Sequence, residues 1–155
     1  MCTTTLIENK LNELGIPLEK PKPAVANYLG SKRIGDLLFV SGRKSELIGE
    51  VGTDVSEKQA KVAARETVVL ILAIIKEDIK NLDLVEGVVK LQGFIRSSIN
   101  FTRQPEVLDG ASELLIDLFG ENGHHARTAT GVTQLPYGAT IQLDMILKTK
   151  VKYEN

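Results

Sequence analysis

The chain has 155 residues, 19 Lys and Arg against 20 Asp and Glu, a net charge of −1, a single cysteine and no tryptophan. A domain of roughly that length buries about 70% of its unfolded surface and can fold without metal or disulfide, and the lone Cys2 excludes an intramolecular disulfide framework. Scattered, near-balanced charge and 5% aromatic residues argue against a polyanionic partner, so nucleic acid is not expected.

The N-terminal MCTTTLIENKLNELG has no basic segment followed by an apolar core, and no apolar run approaches the ~20 residues needed to span a bilayer. The expectation is a cytoplasmic protein without membrane contact. Thr5-Leu6-Ile7-Glu8 has the form of a capping box, and a short amphipathic helix should follow, with Leu6, Ile7, Leu11 and Leu14 on one stripe and Gly15 ending it. Pro17, Pro21 and Pro23 then forbid helix and favour an extended crossing. Residues 1–23 thus read as a helical arm with a Pro-rich lead-in, and residues 24–155 as the core of one domain.

Strand signals occupy Val25–Leu29, Leu37–Gly42 and Glu46–Gly49, with a turn near Gly35-Asp36, so a three-stranded meander is predicted. Ser56-Glu57-Lys58-Gln59 is a second capping-box pattern. It opens a helix to about Lys80, in which Ala60, Ala64, Val68, Ile71, Ile75 and Ile79 form the buried stripe. Val85 to Ser98 returns to period two, with Val85, Val89, Leu91 and Ile95 on one face. Gln104-Pro105 opens a second helix with the stripe Val107, Leu108, Ala111, Leu114, Leu115, Leu118 and Phe119, closed by Gly120.

The stretch Gly123–Ile146 reads as two strands joined by a Leu135-Pro136-Tyr137-Gly138 turn. The second alternates Ile141, Leu143, Met145 and Leu147 against Thr140, Gln142, Asp144 and Lys148. In the first, Arg127 stands among small residues. The whole is α+β, with two long helices covering one face of the sheet. The other face is either solvated or buried against another copy, and apolar residues there, such as Phe94 and Ile146, favour a homo-oligomer.

Arg127 is the first chemical candidate, because a guanidinium fork binds a carboxylate through two parallel hydrogen bonds. In a hairpin of suitable register it shares a face with Gln142 and Asp144, and Asp144 is then expected to answer it rather than to act as a base. An amide such as Gln142 can hold water but cannot take its proton. His124 and His125 are adjacent on a strand, point to opposite faces and have no further ligand, so they read as a polar strand end and no metal is expected. Tyr28 is a pocket wall or half-buried core. There is no G-x-S-x-G elbow, phosphate-binding loop, dinucleotide fingerprint or H-E-x-x-H.

Several segments resemble the Rid/YjgF family, in particular its branch labelled endoribonuclease L-PSP-like. They are Ala26-Asn27-Tyr28, Leu38–Gly42, Gly52–Ser56, Val89–Phe94, Asp109–Ser112 and His125–Val132 with Leu135-Pro136. The resemblance implies a chorismate-mutase-like α+β fold with a mixed sheet, assembled as a homotrimer with sheets inward, helices outward and ligand clefts between subunits. It also implies hydrolysis of reactive 2-imino acids, or their enamine tautomers, to 2-keto acids and ammonia, without a cofactor. By this likeness Arg127 binds the carboxylate of a small metabolite, Tyr28 lines the pocket, and Ser41 and Gly42 border it. Ala129 stands where the family has a cysteine, and Gln142 where it has the glutamate that positions the hydrolytic water. That exchange predicts weakened or lost deaminase activity. The alternatives are a non-catalytic module for small carboxylates such as 2-keto acids and, less favoured by the charge balance, ribonuclease action.

Overall fold

In a computed structural model that describes residues 6–22 and 27–150, the chain runs α1 (Leu6–Glu13), β1 (Ser31–Ile34), β2 (Leu37–Lys44), α2 (Glu57–Ile79), β3 (Val85–Arg96), α3 (Gln104–Phe119), β4 (Ala126–Val132) and β5 (Ile141–Thr149). Short 3₁₀ turns lie at Leu82–Leu84, Gly120–Gly123 and Pro136–Gly138.

Both long helices form where periodicity and end signals agree. At the start of α2 the Ser56 hydroxyl accepts from the Gln59 N–H while the Gln59 amide oxygen accepts from the Ser56 N–H, the reciprocal cap predicted there. Ala60, Ala64, Val68, Ile71 and Ile75 are all buried, and the helix stops at Lys80 in a left-handed conformation. Helix α3 carries Pro105 in its first turn and buries Val107, Leu108, Ala111, Leu114, Leu115 and Leu118. The two helices meet at Gly110, where an added Cβ would lie 2.0 Å from the Lys61 carbonyl oxygen.

The five strands are ordered β1-β2-β5-β3-β4; β3 and β4 run parallel and the other neighbours antiparallel. Helices α2 and α3 cover one face over Leu38, Val40, Leu91, Ile95, Leu143, Met145 and Leu147. The open face carries Phe39, Lys90, Gln92, Phe94, Asp144 and Ile146, partly apolar, with Phe39 exposed and the others only half-buried.

Four local expectations are corrected. First, β4 and β5 are not a hairpin, because β3 lies between them. The connection crosses the end of β3: Gly138 O accepts from the Gly49 N–H and from Arg96, while the Arg96 N–H bonds Thr140 O and the Thr140 N–H bonds Leu47 O. Second, of the predicted Val25–Leu29 strand, Val25 and Ala26 fall outside the described residues, Asn27 and Tyr28 bend, and the strand begins at Ser31. Third, Glu46–Gly49 contributes a single bridge, Ile48 to Ala139, rather than a strand. Fourth, a register shift between Val88 and Lys90 buries Val88 and exposes Val89, the reverse of the predicted parity.

The predicted cap at Thr5 lies outside the described residues. The Leu6 and Ile7 N–H groups donate instead to the two carboxylate oxygens of Asp83, at 2.9 and 3.1 Å. A carboxylate at a helix N-terminus satisfies orphan donors and opposes the dipole. Asp83→Ala is therefore expected to loosen α1 by about 1 kcal/mol, read as faster tryptic cleavage at Lys10 with little change in the melting midpoint of the core.

Candidate functional site

Strand β1 has four residues and its pairing with β2 reaches only as far as Ser31 opposite Val40, so the second half of β2 is left at the sheet edge. There the β2–β5 register shifts between Val40 and Arg43. Ser41 holds the preceding bend in place: its N–H donates to Gly30 O at 2.9 Å and its hydroxyl to Leu29 O at 2.6 Å. Gly42 follows, and a Cβ at this position would sit 3.4 Å from the Gln142 amide nitrogen.

A cleft of about 690 Å³ lies along this edge. Tyr28, Gly42, Arg43, Lys44, Tyr137 and Gln142 line it, Val69, Leu70, Ala73 and Ile74 of α2 form an apolar wall, and Pro17 to Lys22 cover part of it. The Arg43 guanidinium stands 5.9 Å from the Tyr28 ring centroid, and the Lys44 ammonium 5.6 Å from that of Tyr137. The site thus gathers three of the predicted residues, Tyr28, Gly42 and Gln142, with Ser41 beside them.

Arg127 and Ala129 lie elsewhere in the same chain. Arg127 is on β4, the far edge strand, about 14 Å from β2 at three strand spacings. In register it pairs with Leu91, which pairs in turn with Met145; both are buried beneath the helices, so Arg127 faces α3 and not the open face that carries Gln142 and Asp144. Its acidic partner is accordingly Asp109 of α3 at 2.7 Å, rather than the Asp144 expected from a hairpin. Asp144 sits across from Gln92 on the open face; burial pushes its carboxyl above its ordinary value, and Lys90 pulls it partly back.

Arg127 is held by a chain of hydrogen bonds. Its Nη1 also donates to the Ser112 hydroxyl at 3.2 Å, and Ser112 lies 2.9 Å from His125 Nε2. His125 Nδ1 is 2.6 Å from Gly123 O, an acceptor only, so the proton is on Nδ1 and Nε2 accepts from Ser112 when the ring is neutral. No other hydrogen bond of the guanidinium forms among the described residues, and its Nε and Nη2 remain for a bidentate ligand. Ala129, on the same face, packs partly against the core.

Sequence reasoning did not single out Asp109, Ser112, His125 or Arg43 for these roles. The first three are joined only by the packing of α3 on β4, whereas Arg43 was legible as a cation directly after the Ser41-Gly42 strand end. Among the described residues no group of three His, Cys, Asp or Glu could hold a metal, and no helix is long and apolar enough to cross a membrane.

Residues 8–146 match the family described as "YjgF/chorismate_mutase-like, putative endoribonuclease". The chain is 35% identical to Protein TCP17 of Trypanosoma cruzi over 89% of its own length and 91% of that protein. Among solved structures it is similar to Atu1372 of Agrobacterium tumefaciens, a protein of unknown function, at 36% identity and TM-score 0.85, covering 94% of this chain and 93% of that one. It is also similar to a "putative endoribonuclease" of Shewanella oneidensis at 25% identity and TM-score 0.87, covering 92% and 98%.

Proposed function

We propose that this chain, which belongs to the YjgF/chorismate-mutase-like family, binds small 2-imino and 2-oxo carboxylates in the β2-edge cleft and hydrolyses the imine there slowly, with Arg127 of a neighbouring copy as the carboxylate anchor. One observation carries this reading: Tyr28, Gly42 and Gln142 meet at one edge of the sheet, and Arg127 stands at the opposite edge. A head-to-tail ring of copies joins the β4 edge of one to the β2 edge of the next, and a homotrimer is the ring that the family leads one to expect. The exposed Phe39 and the half-buried Phe94 and Ile146 on the open face suit burial inside such a ring.

The chemistry asked of the site is modest. Water adds to C2 of the imino acid, a proton reaches the nitrogen, and the C–N bond breaks to give the 2-oxo acid and ammonia. The Gln142 amide oxygen can accept a hydrogen bond from the attacking water and so orient it, but it cannot remove the proton. Arg127 fixes the carboxylate and thereby the face of C2 that meets the water. With an amide at position 142, a non-catalytic carboxylate-binding module is the second reading.

Ammonia release from freshly generated 2-iminobutanoate, measured against buffer and with the folded state verified, tests the hydrolase. A rate no faster than buffer leaves only the binding module. Arg127→Ala is expected to abolish the thermal shift given by 2-oxobutanoate, because it removes two charge-assisted bonds of about 1.5–3 kcal/mol each. An undiminished shift would refute both readings.

A further inference from the structure

We infer that Arg43 forms a second anion subsite in the same cleft, and that the preferred ligand is therefore a short dicarboxylic 2-imino or 2-oxo acid. The inference rests on the reading above for the first carboxylate, and adds a side-chain specificity that neither Arg127 nor Gln142 supplies.

The β2 bulge shifts the strand's parity by one, so that Arg43, which unbroken alternation from Val40 would put on the open face, turns to the other side. Lys44 pairs with Gln142 on the open face, whereas Arg43 pairs with Leu143 and turns toward α2. The guanidinium lies beneath the bend at Tyr28 to Gly30: the Tyr28 ring is 5.9 Å away, and a Cβ on Gly30 would come 3.6 Å from Arg43 Nη2 and 2.8 Å from the Ile74 side chain. The Arg43 Nε is buried and makes no hydrogen bond among the described residues. An ionised group left so is unfavourable, and a carboxylate in the cleft that Arg43 lines would offset its charge.

The surroundings set the ligand's size and charge. Among the lining residues Lys20, Lys22, Arg43 and Lys44 stand against Glu19, Glu46 and Glu66, Lys22 already pairs with Glu46 at 3.5 Å, and Asp78 adds a fourth carboxylate near Arg43, its Oδ2 3.3 Å from the point where a Gly30 Cβ would stand. That balance suits one additional carboxylate and not a polyphosphate. The apolar wall of α2 accommodates the methylenes between the two acid groups, and a volume of about 690 Å³ is ample.

The test compares 2-oxopentanedioate with 2-oxopentanoate, which has the same chain length without the terminal carboxylate, by calorimetric titration of the intact protein. The wild type is expected to bind the diacid at least about tenfold more tightly, the scale of one charge-assisted contact. Arg43→Gln should bring the ratio of the two affinities to within about threefold of one, and Arg43→Lys should restore part of the preference. Arg127→Ala should weaken both ligands alike. Equal affinity of the two ligands for the wild type, or a preference that survives Arg43→Gln, overturns the second subsite and leaves the proposed function standing. Undiminished binding by Arg127→Ala overturns the anchor while the Arg43 comparison still holds, and a folded wild type that binds neither ligand overturns both.

Discussion

Gly110→Ala is expected to destabilise the protein by about 3 kcal/mol, read as a fall of roughly 6–12 °C in melting midpoint for a chain of this length. Alanine is intrinsically the better helix former by about 1 kcal/mol, so propensity alone predicts the opposite sign. The clash decides. An added Cβ would stand 2.0 Å from the Lys61 carbonyl oxygen and 2.9 Å from its carbonyl carbon, and both belong to the backbone of α2, which has no rotamer to change. The helices must separate, and the neighbouring contacts of Ala60, Ala64, Ala111 and Leu114 loosen together. At Gly93 the obstacle is instead a side chain, Leu108, whose Cδ1 would stand 2.5 Å from the added Cβ. An unchanged midpoint for Gly110→Ala would mean that α2 and α3 have slack at their crossing.

Gln142→Glu is expected to accelerate imine hydrolysis by about 10²-fold or more, the usual range for a positioned general base being 10²–10⁴. The two side chains have nearly the same shape, and Gln142 is half-buried in the cleft rather than in the core, so folding should be little affected. What changes is that a carboxylate can accept the proton that an amide can only face. Asp144, about 7 Å along the same face, already has its carboxyl pushed up by burial. A second carboxyl nearby would be raised in turn by like-charge repulsion, toward the neutral range where a base works best. The assay is initial ammonia release from freshly generated 2-iminobutanoate, with the wild type alongside. No gain in a folded variant would mean that position 142 does not adjoin the reacting carbon, and would favour the pure binding module.

What could be read from the residues follows the range of the forces involved. Helices α2 and α3 were legible because the stripe, the Ser56 cap and Pro105 are all local signals that agree. Strand β5 was legible for the same reason, since its alternation survives intact from Ile141 to Leu147. Pairing was not. Whether β4 meets β5 or β3 depends on backbone bonds that Gly138 and Thr140 make to residues some ninety positions earlier, which no local pattern encodes. The shift at Val88 and Lys90 is likewise a tertiary choice that reverses parity without leaving a mark in composition. Arg127 was identifiable as a cation among small residues, but its partner was assigned to Asp144 through the wrong pairing; Asp109 became its neighbour only once α3 was laid across β4. The motif marked the residue, and the fold marked its surroundings.

The position of β5 in the sheet has a consequence for how the chain is made. Among the described strands it is the central one and alone joins the β1-β2 pair to the β3-β4 pair, yet it is the last of these five to be synthesised. Until it leaves the ribosome, the β1-β2 and β3-β4 segments have no strand to join them, and the helices have no continuous floor beneath them. Non-local pairing of this kind is slow and leaves apolar edges exposed while it waits. Folding is therefore completed after translation has passed Thr149, and the interval before that point is when this chain most needs protection from its own copies.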